Sequence, residues 1–309
     1  MADHGAFDPR LTPARPDLAT KQLEGRVEAA RFVEGRTYEI AEPQAPMRRV
    51  PSPEAALDTE ALKGERVTIY ETTDEGWAWG QLAIDGYVGY LPAGALAPPG
   101  PAPTHKVVAL RTLVFPGPSI KLPPVEALAL GCRLAIAHVE APFAVTVSGG
   151  YQPERHLAAI DAAERDFVAV AERFLGAPYL WGGKTSLGLD CSGLVQVALA
   201  ACGISCPRDS DMQEKAFAPA PAEKGVESRL GLSQTGANAL TALDSSYGLQ
   251  RGDLLFWEGH VGIARDAATL IHANAFHMAV AIEPIAEAIA RIGTAGCEVT
   301  SIRRPPQRA

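Results

Sequence analysis

The sequence predicts an α+β protein in which two small β-barrels precede a domain of helices packed on an antiparallel sheet. Short strand patterns separated by turns occupy most of the first 158 residues, helical periodicity begins near residue 161, and strand patterns return after residue 252. Helices followed by a run of strands are typical of α+β domains. The chain has 309 residues, which is long for one domain, so we expect several.

The first barrel is predicted over residues 37–97. Short turns that contain glycine, such as Asp74-Glu75-Gly76 and Asp85-Gly86, separate segments rich in β-branched and aromatic residues, as expected for adjacent strands. The predicted strands are 66–72, 76–82 and 86–91. A lead-in rich in proline and charge, residues 1–36, precedes this barrel, and a proline-rich linker, residues 98–104, follows it.

A second barrel is predicted over residues 105–158. It ends in the pattern Y-x-P-x-x-x-L beginning at Tyr151, and the first barrel ends in the same pattern beginning at Tyr90, which is 61 residues earlier (151 − 90). A pattern that recurs at the end of two neighbouring segments indicates an internal repeat. The repeat therefore favours two copies of one small barrel.

Residues 159–309 are predicted to form the last domain. The spacing of Phe167, Val170, Ala171 and Phe174 gives one apolar helix face, and a second helix is predicted to begin at Cys191 and end before Gly203. After the second helix, residues 214–250 contain few bulky apolar side chains and are predicted to be a long surface loop inserted in the domain. The remaining predicted elements are strands 253–258, 260–265, 269–273 and 279–283, a helix over 284–292 and a last strand over 298–303.

Composition excludes several classes of partner and cofactor. The net charge of −8 disfavours nucleic acid and anionic membranes. No apolar run reaches the roughly 20 residues that span a bilayer, and the N-terminus lacks the features of a secretory signal, so a cytoplasmic location is expected.

The five cysteines are scattered rather than paired, and Cys202 and Cys206 have no second pair beside them, which predicts neither a disulfide framework nor a metal site. No cofactor is expected, and the oligomeric state is left open.

Cys191 is the candidate nucleophile. It would open a helix behind Asp190, which is predicted to be the N-cap residue. A thiolate at a helix N-terminus meets unpaired backbone N–H groups and the positive end of the helix dipole. We therefore expect the pKa of this thiol to be lowered; a small buried hydrophobic residue is the alternative interpretation.

Two histidines are candidates for the base and for the residue that orients it. His260 begins one predicted strand and His272 lies in the next, 12 residues later (272 − 260). Adjacent antiparallel strands would place the two rings side by side, so that one accepts the thiol proton and the other fixes its tautomer. His277 lies on the same hairpin and is the alternative orienting residue.

Four motifs together resemble those of the NlpC-type papain-like cysteine peptidases, which act on bacterial cell-wall peptides. They are D-C-S-G-L-V at 190–195, G-D-L-L-F-W at 252–257, G-H-V-G-I at 259–263 and I-H-A at 271–273. The resemblance covers about residues 160–303. It implies a papain-like fold in which Cys191 is the nucleophile, His260 the base and His272 the third polar residue, with the backbone N–H of Cys191 in the oxyanion hole.

The two predicted barrels resemble bacterial SH3-like domains, and this narrows the resemblance. The whole chain is similar to the subgroup of γ-D-glutamyl-L-diamino-acid endopeptidases, also called dipeptidyl-peptidase VI. These cleave the bond between D-Glu and the diamino acid in murein peptides that carry a free N-terminal L-Ala, as in cell-wall peptide recycling. By this resemblance the substrate-binding residues are Asp190, Ser192, Asp209, Ser210 and Tyr179 in the last domain, with Glu65 and Tyr90 in the first barrel.

Two other functions fit the same motifs. One is a cell-wall-peptide binding module whose catalytic site is degenerate, and the other is a thiol-dependent amidase or acyltransferase on the same fold. The intact set of Cys191, His260 and His272 disfavours the first, and the acidic amine pocket disfavours the second. The insertion at 214–250 departs from the family pattern, which leaves its effect on the substrate open.

Overall fold

The computed structural model describes residues 7–220 and 248–306. The chain divides into two compact units. Unit 1 comprises Met1–Ala162 and Trp181–Ser186, and unit 2 comprises Ala163–Leu180 and Leu187–Ala309. Most of the predicted loop, residues 221–247, lies outside the described residues, and the domain boundaries drawn from the sequence remain predictions.

Unit 1 is built on a seven-stranded antiparallel sheet. The first nine strands are β1 (Ala19–Thr20), β2 (Phe32–Val33), β3 (Arg36–Ile40), β4 (Gln44–Arg48), β5 (Leu57–Leu62), β6 (Arg66–Thr72), β7 (Trp77–Leu82), β8 (Val88–Pro92) and β9 (Leu96–Ala97). The order of the strands in the sheet is β5-β4-β8-β7-β6-β3-β9. The predicted strands 66–72, 76–82 and 86–91 are confirmed as β6, β7 and β8, each within two residues.

Two paired glycines let the central strands of this sheet approach closely. Gly80 in β7 lies opposite Gly89 in β8. A Cβ atom on Gly80 would lie 2.5 Å from the carbonyl oxygen of Thr68, and one on Gly89 would lie 2.7 Å from Cγ of Met47. Neither distance is compatible with a side chain, so the close approach of neighbouring atoms requires glycine at both positions.

The second group of strands in unit 1 forms small antiparallel sheets around a core of Leu62, Val107, Leu128, Cys132 and Leu134. Apart from Leu62, the core residues lie in the region of the predicted second barrel. The strands are β10 (His105–Val107), β11 (Arg111–Val114), β12 (Glu126–Ala129), β13 (Arg133–Leu134), β14 (Ile136–Glu140), β15 (Phe143–Thr146), β16 (Tyr151–Pro153) and β17 (Leu157–Ala159), followed much later by β18 (Lys184–Thr185).

Unit 2 packs helices on a six-stranded antiparallel sheet, which is the predicted α+β class. Its elements are α1 (Phe167–Glu172), β19 (Gly188–Leu189), α2 (Cys191–Ala201), α3 (Ser210–Ala216), β20 (Ala218–Pro219), β21 (Leu254–Trp257), β22 (His260–Ala264), β23 (Thr269–Asn274), β24 (Ala279–Pro284), α4 (Ile285–Thr294) and β25 (Val299–Arg304). The order of the strands in the sheet is β20-β25-β21-β22-β23-β24.

Helix α2 is the central element of unit 2. Every residue from its start to Leu199 is buried, as expected for a helix surrounded by other elements, and it packs against α1, β22 and β23. Asp190 is the N-cap, since its Oδ1 accepts a hydrogen bond from the backbone N–H of Gly193 at 2.7 Å. Gly203, with φ of +72°, ends the helix in the left-handed conformation that glycine adopts without strain.

The predicted loop starts later than the sequence indicates. Residues 214–216 are the last turn of α3, and β20 pairs with Arg303 and Arg304 of β25. Both elements are short, and neither has enough apolar residues for a detectable period. The helix is held instead by a polar anchor, Gln213, which is completely buried.

Among residues 7–220 and 248–306, no helix is long and apolar enough to cross a bilayer.

The lead-in is part of the core of unit 1, because Leu18 is fully buried and packs with Trp79 and Val88. We expect Leu18→Ala to lower the free energy of unfolding by about 2–5 kcal/mol, as for other buried leucines. Leu11→Ala is the matched control, since Leu11 is an exposed leucine of the same segment and its loss should cost less than about 1 kcal/mol. Urea unfolding measures both; equal effects of the two substitutions would contradict a packed lead-in.

Candidate active site

The side chain of Cys191 lies against the start of β22. It is 7% exposed, and its sulfur accepts hydrogen bonds from the backbone N–H groups of Val261 and Ser192. Val261 directly follows His260. The packing of α2 on β22 therefore brings the first residue of the helix next to the first residues of the strand.

Burial controls the ionisation of this thiol. Desolvation raises the pKa of Cys191 to about 12, and the negative charge of Asp190 acts in the same direction, whereas the two N–H donors and Arg208 lower it. The expectation of a lowered pKa was wrong, because the loss of water at a buried helix N-terminus outweighs the helix N–H groups. The resting site therefore holds a neutral thiol, and a base must remove its proton as it reacts.

His260 and His272 form a hydrogen-bonded pair. Nε2 of His260 lies 2.8 Å from Nδ1 of His272, across the antiparallel pairing of β22 with β23. The expectation that neighbouring strands place the two rings side by side is confirmed. Because Nε2 of His260 is engaged in this bond, Nδ1 is the nitrogen that remains to accept a proton from a thiol.

His277, the alternative orienting residue, takes a different partner. Its Nδ1 lies 3.0 Å from Oδ1 of Asn274, which also accepts the backbone N–H of His277. The structure therefore places His272, and not His277, in hydrogen-bond contact with His260.

Burial also keeps both paired histidines neutral. Desolvation lowers the pKa of His260 to about 3, helped by the repulsion that would arise if His272 were protonated as well and by the positive charge of Arg291. Desolvation and the cation Arg291 lower the pKa of His272 to about 3. An imidazole that is neutral at pH 7 is able to accept a proton from a thiol.

Sequence reasoning missed two residues beyond His272. Nε2 of His272 lies 2.6 Å from Oε1 of Glu283, and Arg291 of α4 donates a hydrogen bond to the same oxygen. The signal in the sequence was a lone glutamate in the otherwise apolar strand β24. Since His272 pairs with Ala281, Glu283 lies two residues further on and on the same face of the sheet as Ala281.

These residues also contain the one group of three candidate metal ligands found in 7–220 and 248–306. The ligand atoms of His272, His277 and Glu283 lie within 4.8 Å of one another. A cation there would compete with the guanidinium of Arg291, which already bonds Glu283, and with the hydrogen bond between His272 and Glu283. The donor set is therefore better suited to a hydrogen-bonded chain than to a metal ion.

Arg208 is a third residue that the sequence did not single out, and it neutralises the charge of Asp190. Its guanidinium is 1% exposed and donates to Oδ1 of Asp190 at 2.9 Å, to Oδ2 at 2.8 Å and to Oγ of Ser192 at 2.9 Å. Asp190 and Ser192, both predicted substrate contacts, are thus members of a buried network that fixes the start of α2.

Helix α3 holds this network in place. Nε2 of Gln213 donates to the carbonyl oxygens of Ser192 at 3.0 Å and of Pro207 at 2.9 Å. Asp209 is the N-cap residue of α3 and Ser210 its first residue, so both predicted contacts directly follow Arg208. Both are half-buried.

Tyr179 lies near the thiol within unit 2. Burial raises its pKa to about 12, with smaller contributions from Cys191 and Asp190. Its backbone bridges to Leu189, two residues before Cys191. The structure therefore brings this predicted substrate contact close to the nucleophile, with the phenol neutral.

The other two predicted substrate contacts belong to unit 1. Glu65 is 2% exposed; its Oε2 accepts the backbone N–H of Leu62 at 3.0 Å, and its Oε1 lies 3.5 Å from Nζ of Lys184. The hydroxyl of Tyr90 accepts a hydrogen bond from Arg15. These contacts lie within unit 1 and have clear structural roles there.

A buried thiol at the start of a helix that packs on the strands of a histidine pair is typical of thiol-dependent hydrolases. Comparison with known families then agrees with the geometry. Residues 176–294 match the NlpC/P60 family, and residues 47–96 match the bacterial dipeptidyl-peptidase Sh3 domain. The chain thus carries an NlpC/P60 domain behind a bacterial SH3 domain, and it is a cysteine peptidase.

Two curated relatives extend over most of the chain. A γ-D-glutamyl-L-lysine dipeptidyl-peptidase of Bacillus subtilis is 27% identical over 256 residues, which is 75% of this chain and 77% of the relative. An enzyme of the same name from Bacillus cereus is 25% identical over 263 residues, which is 74% of this chain and 71% of the relative. These relatives support a peptidase that acts on cell-wall peptides.

Solved structures show the same fold. A crystal structure of an NlpC/P60 family protein from Bacillus cereus has a TM-score of 0.67 at 19% identity and covers 87% of this chain and 99% of its own. An NlpC/P60 endopeptidase from Photobacterium damselae has a TM-score of 0.54 at 15% identity and covers 88% of this chain and 72% of its own.

The lowered pKa of the histidine pair makes stability depend on pH. The unfolded chain binds a proton at His260 below its ordinary pKa of 6.5, whereas the folded site resists protonation down to about 3. Stability that is present above pH 6.5 is therefore lost as the pH falls through this window, at up to about 1.4 kcal/mol per pH unit and histidine.

Urea unfolding between pH 7 and pH 4 checks this sign. We expect His260→Gln to flatten the decline of the free energy of unfolding relative to the parent chain. His138→Gln is the control, since His138 is exposed on β14. A decline that is unchanged by His260→Gln would contradict a buried neutral imidazole.

Removal of one partner of the buried pair Arg208 and Asp190 should strongly destabilise the folded protein. We expect Arg208→Met to lower the free energy of unfolding by about 3–5 kcal/mol, because Asp190 keeps a buried uncompensated charge. Adding Asp190→Asn should recover part of that loss. Arg173→Met removes an ion pair with Glu164 whose side chains are 35% and 42% exposed, and should cost less than about 1 kcal/mol. A double variant no more stable than Arg208→Met would argue against the charge as the cause.

Proposed function

We propose that this protein hydrolyses the bond between γ-D-Glu and the diamino acid in murein peptides with a free N-terminal L-Ala. The observation that supports this most is the hydrogen-bonded pair of His260 and His272 at 2.8 Å, on strands packed against the helix that begins with Cys191. Homology to γ-D-glutamyl-L-lysine dipeptidyl-peptidases over three quarters of the chain supports the substrate class.

The first step follows from the neutral resting state. As the sulfur of Cys191 attacks the γ-carbonyl carbon of D-Glu, its proton passes to Nδ1 of His260, and the carbonyl π-electrons move onto oxygen. The resulting imidazolium is stabilised by the hydrogen bond to His272. The backbone N–H of Cys191 is proposed to donate to the oxyanion.

Transfer of the same proton then determines which bond of the tetrahedral intermediate breaks. His260 returns the proton to the departing amine of the diamino acid, the C–N bond breaks, and a thioester with Cys191 remains. A water molecule next gives its proton to His260 and attacks the thioester carbon. The C–S bond breaks, the sulfur takes the proton from His260, and L-Ala-D-Glu leaves with a carboxylic acid where the amide was, which then loses its proton to solvent.

Recognition of the free amine is proposed to involve the acidic and hydroxyl groups around the start of α2 and α3. We propose that Asp209, the half-buried N-cap residue of α3, is the main carboxylate partner of the ammonium group. A desolvated ammonium requires such a partner. The further proposed contacts within unit 2 are Asp190, Ser192, Ser210 and Tyr179.

The cellular role is proposed to be the recycling of short murein peptides in the cytoplasm. A requirement for a free L-Ala amine would restrict the enzyme to fragments already released from the glycan strand. The relatives named for a γ-D-glutamyl-L-lysine substrate make L-Lys a diamino acid to test beside meso-diaminopimelate.

Mass spectrometry of defined peptides tests this function. We expect purified protein to release L-Ala-D-Glu from L-Ala-γ-D-Glu-L-Lys or from its meso-diaminopimelate counterpart, and to leave the N-acetylated twins intact. Cys191→Ala should abolish turnover but still bind peptide, and Asp209→Ala should raise KM by roughly tenfold, as for loss of one charged hydrogen bond.

Each other outcome argues for a different function. Cleavage of free and acetylated peptides alike would contradict amine recognition while keeping the thiol chemistry. Binding of all four peptides without cleavage would favour a degenerate binding module. Turnover by Cys191→Ala would contradict the mechanism.

A further inference from the structure

The hydrogen bonds of the histidine pair continue beyond His272. Nδ1 of His272 faces His260 at 2.8 Å, and Nε2 faces Oε1 of Glu283 at 2.6 Å. Arg291 bonds the same glutamate oxygen. His272 and Glu283 are buried, with side-chain exposures of 0% and 9%, and Arg291 is 25% exposed. A chain of hydrogen bonds therefore runs from His260, the proposed base, across the sheet to helix α4.

The protonation state of Glu283 determines which atom donates in each hydrogen bond between His260 and Glu283. Glu283, bonded to a guanidinium that stays protonated, is a carboxylate that only accepts hydrogen bonds. Nε2 of His272 must then carry the hydrogen. Since neutral imidazole carries one N–H, Nδ1 of His272 is an acceptor, and Nε2 of His260 must donate to it.

The consequence reaches the reacting atoms. If Nε2 of His260 carries its hydrogen, then Nδ1 of His260 holds the lone pair. That nitrogen is the one which the proposed mechanism uses to accept the thiol proton. In the opposite tautomer Nδ1 would already be protonated and unable to act as a base.

We infer that Glu283, held by Arg291, is a positioning residue that sets the tautomers of His272 and His260 for proton transfer from Cys191. This inference rests on the proposed peptidase function of the same site. Glu283 acts through His272 and touches no reacting atom. The orientation of His272, the third polar residue of the site, thus depends on Glu283.

Two substitutions separate the acceptor from the charge. Glu283→Gln keeps an oxygen that accepts from both His272 and Arg291 but removes the negative charge. Glu283→Met, of similar length, removes the acceptor as well, so that His272 is free to reverse its tautomer. The matched control is Glu287→Met, the same change at an exposed glutamate of α4.

The first readout is spectroscopic and does not need a substrate. Long-range ¹H–¹⁵N correlation of histidine-labelled protein reports which ring nitrogen carries hydrogen. We expect the parent chain, Glu283→Gln and Glu287→Met to hold the hydrogen of His260 on Nε2. In Glu283→Met we expect a mixture of the two tautomers. A parent His260 with its hydrogen on Nδ1, or an unmixed His260 in Glu283→Met, would overturn the inference.

The second readout is kinetic, with the peptide that the parent cleaves. We expect kcat of Glu283→Met to fall about 10- to 100-fold, less than the roughly 10⁴-fold known for loss of a direct orienting carboxylate, with KM within about twofold. Glu283→Gln should retain kcat within about threefold, because the acceptor is kept. Equal losses in both variants would contradict a role as acceptor. Urea unfolding and circular dichroism establish that each variant is folded.

The two experiments separate failure of the inference from failure of the proposed function. If the parent protein cleaves no murein peptide, the function fails, and the tautomer measurement still decides the role of Glu283. If the parent cleaves peptide and needs Cys191, but Glu283→Met has an unchanged kcat, the function holds and the inference is wrong.

Discussion

The buried pair of Arg208 and Asp190 is the interaction on which the site depends. Asp190 caps helix α2 and Arg208 neutralises it, with both carboxylate oxygens engaged within 2.9 Å. Without the guanidinium, an isolated carboxylate beside the thiol would be costly to bury and would oppose formation of a thiolate. With it, the start of α2 is fixed and nearly neutral. Cys191 can then be buried against β22, where the backbone N–H groups of Val261 and Ser192 donate to its sulfur.

A neutral, buried resting state follows from that arrangement. The thiol pKa of about 12 and the imidazole pKa values of about 3 mean that ionisation must occur together with substrate binding and attack. A site of this kind protects a reactive thiol from oxidation, which proceeds through the exposed thiolate. It also makes the tautomer of His260 decisive, because only one of the two neutral forms accepts a proton at Nδ1.

Much of the fold and the centre of the site could be predicted from the sequence. Helix α2 begins at Cys191 as predicted, and β22 and β23 carry His260 and His272 side by side, because strand and helix periods, caps and turns are local signals. The partners of those residues are not local. Arg208 reaches Asp190 across 18 residues and Glu283 reaches His272 across 11, and no spacing rule links them. The predicted direction of the shift in the Cys191 thiol pKa was wrong for the same reason, since burial is a tertiary property.

The central claim is that Cys191 forms a covalent acyl-enzyme with the γ-glutamyl group of the peptide. Rapid acid quenching during turnover of L-Ala-γ-D-Glu-diamino acid, followed by intact and fragment mass spectrometry, tests it directly. The account predicts a thioester adduct of L-Ala-γ-D-Glu on the fragment that contains Cys191, and no adduct when the peptide is N-acetylated. Turnover with no adduct on that fragment, or with the adduct on another of the five cysteines, would contradict it.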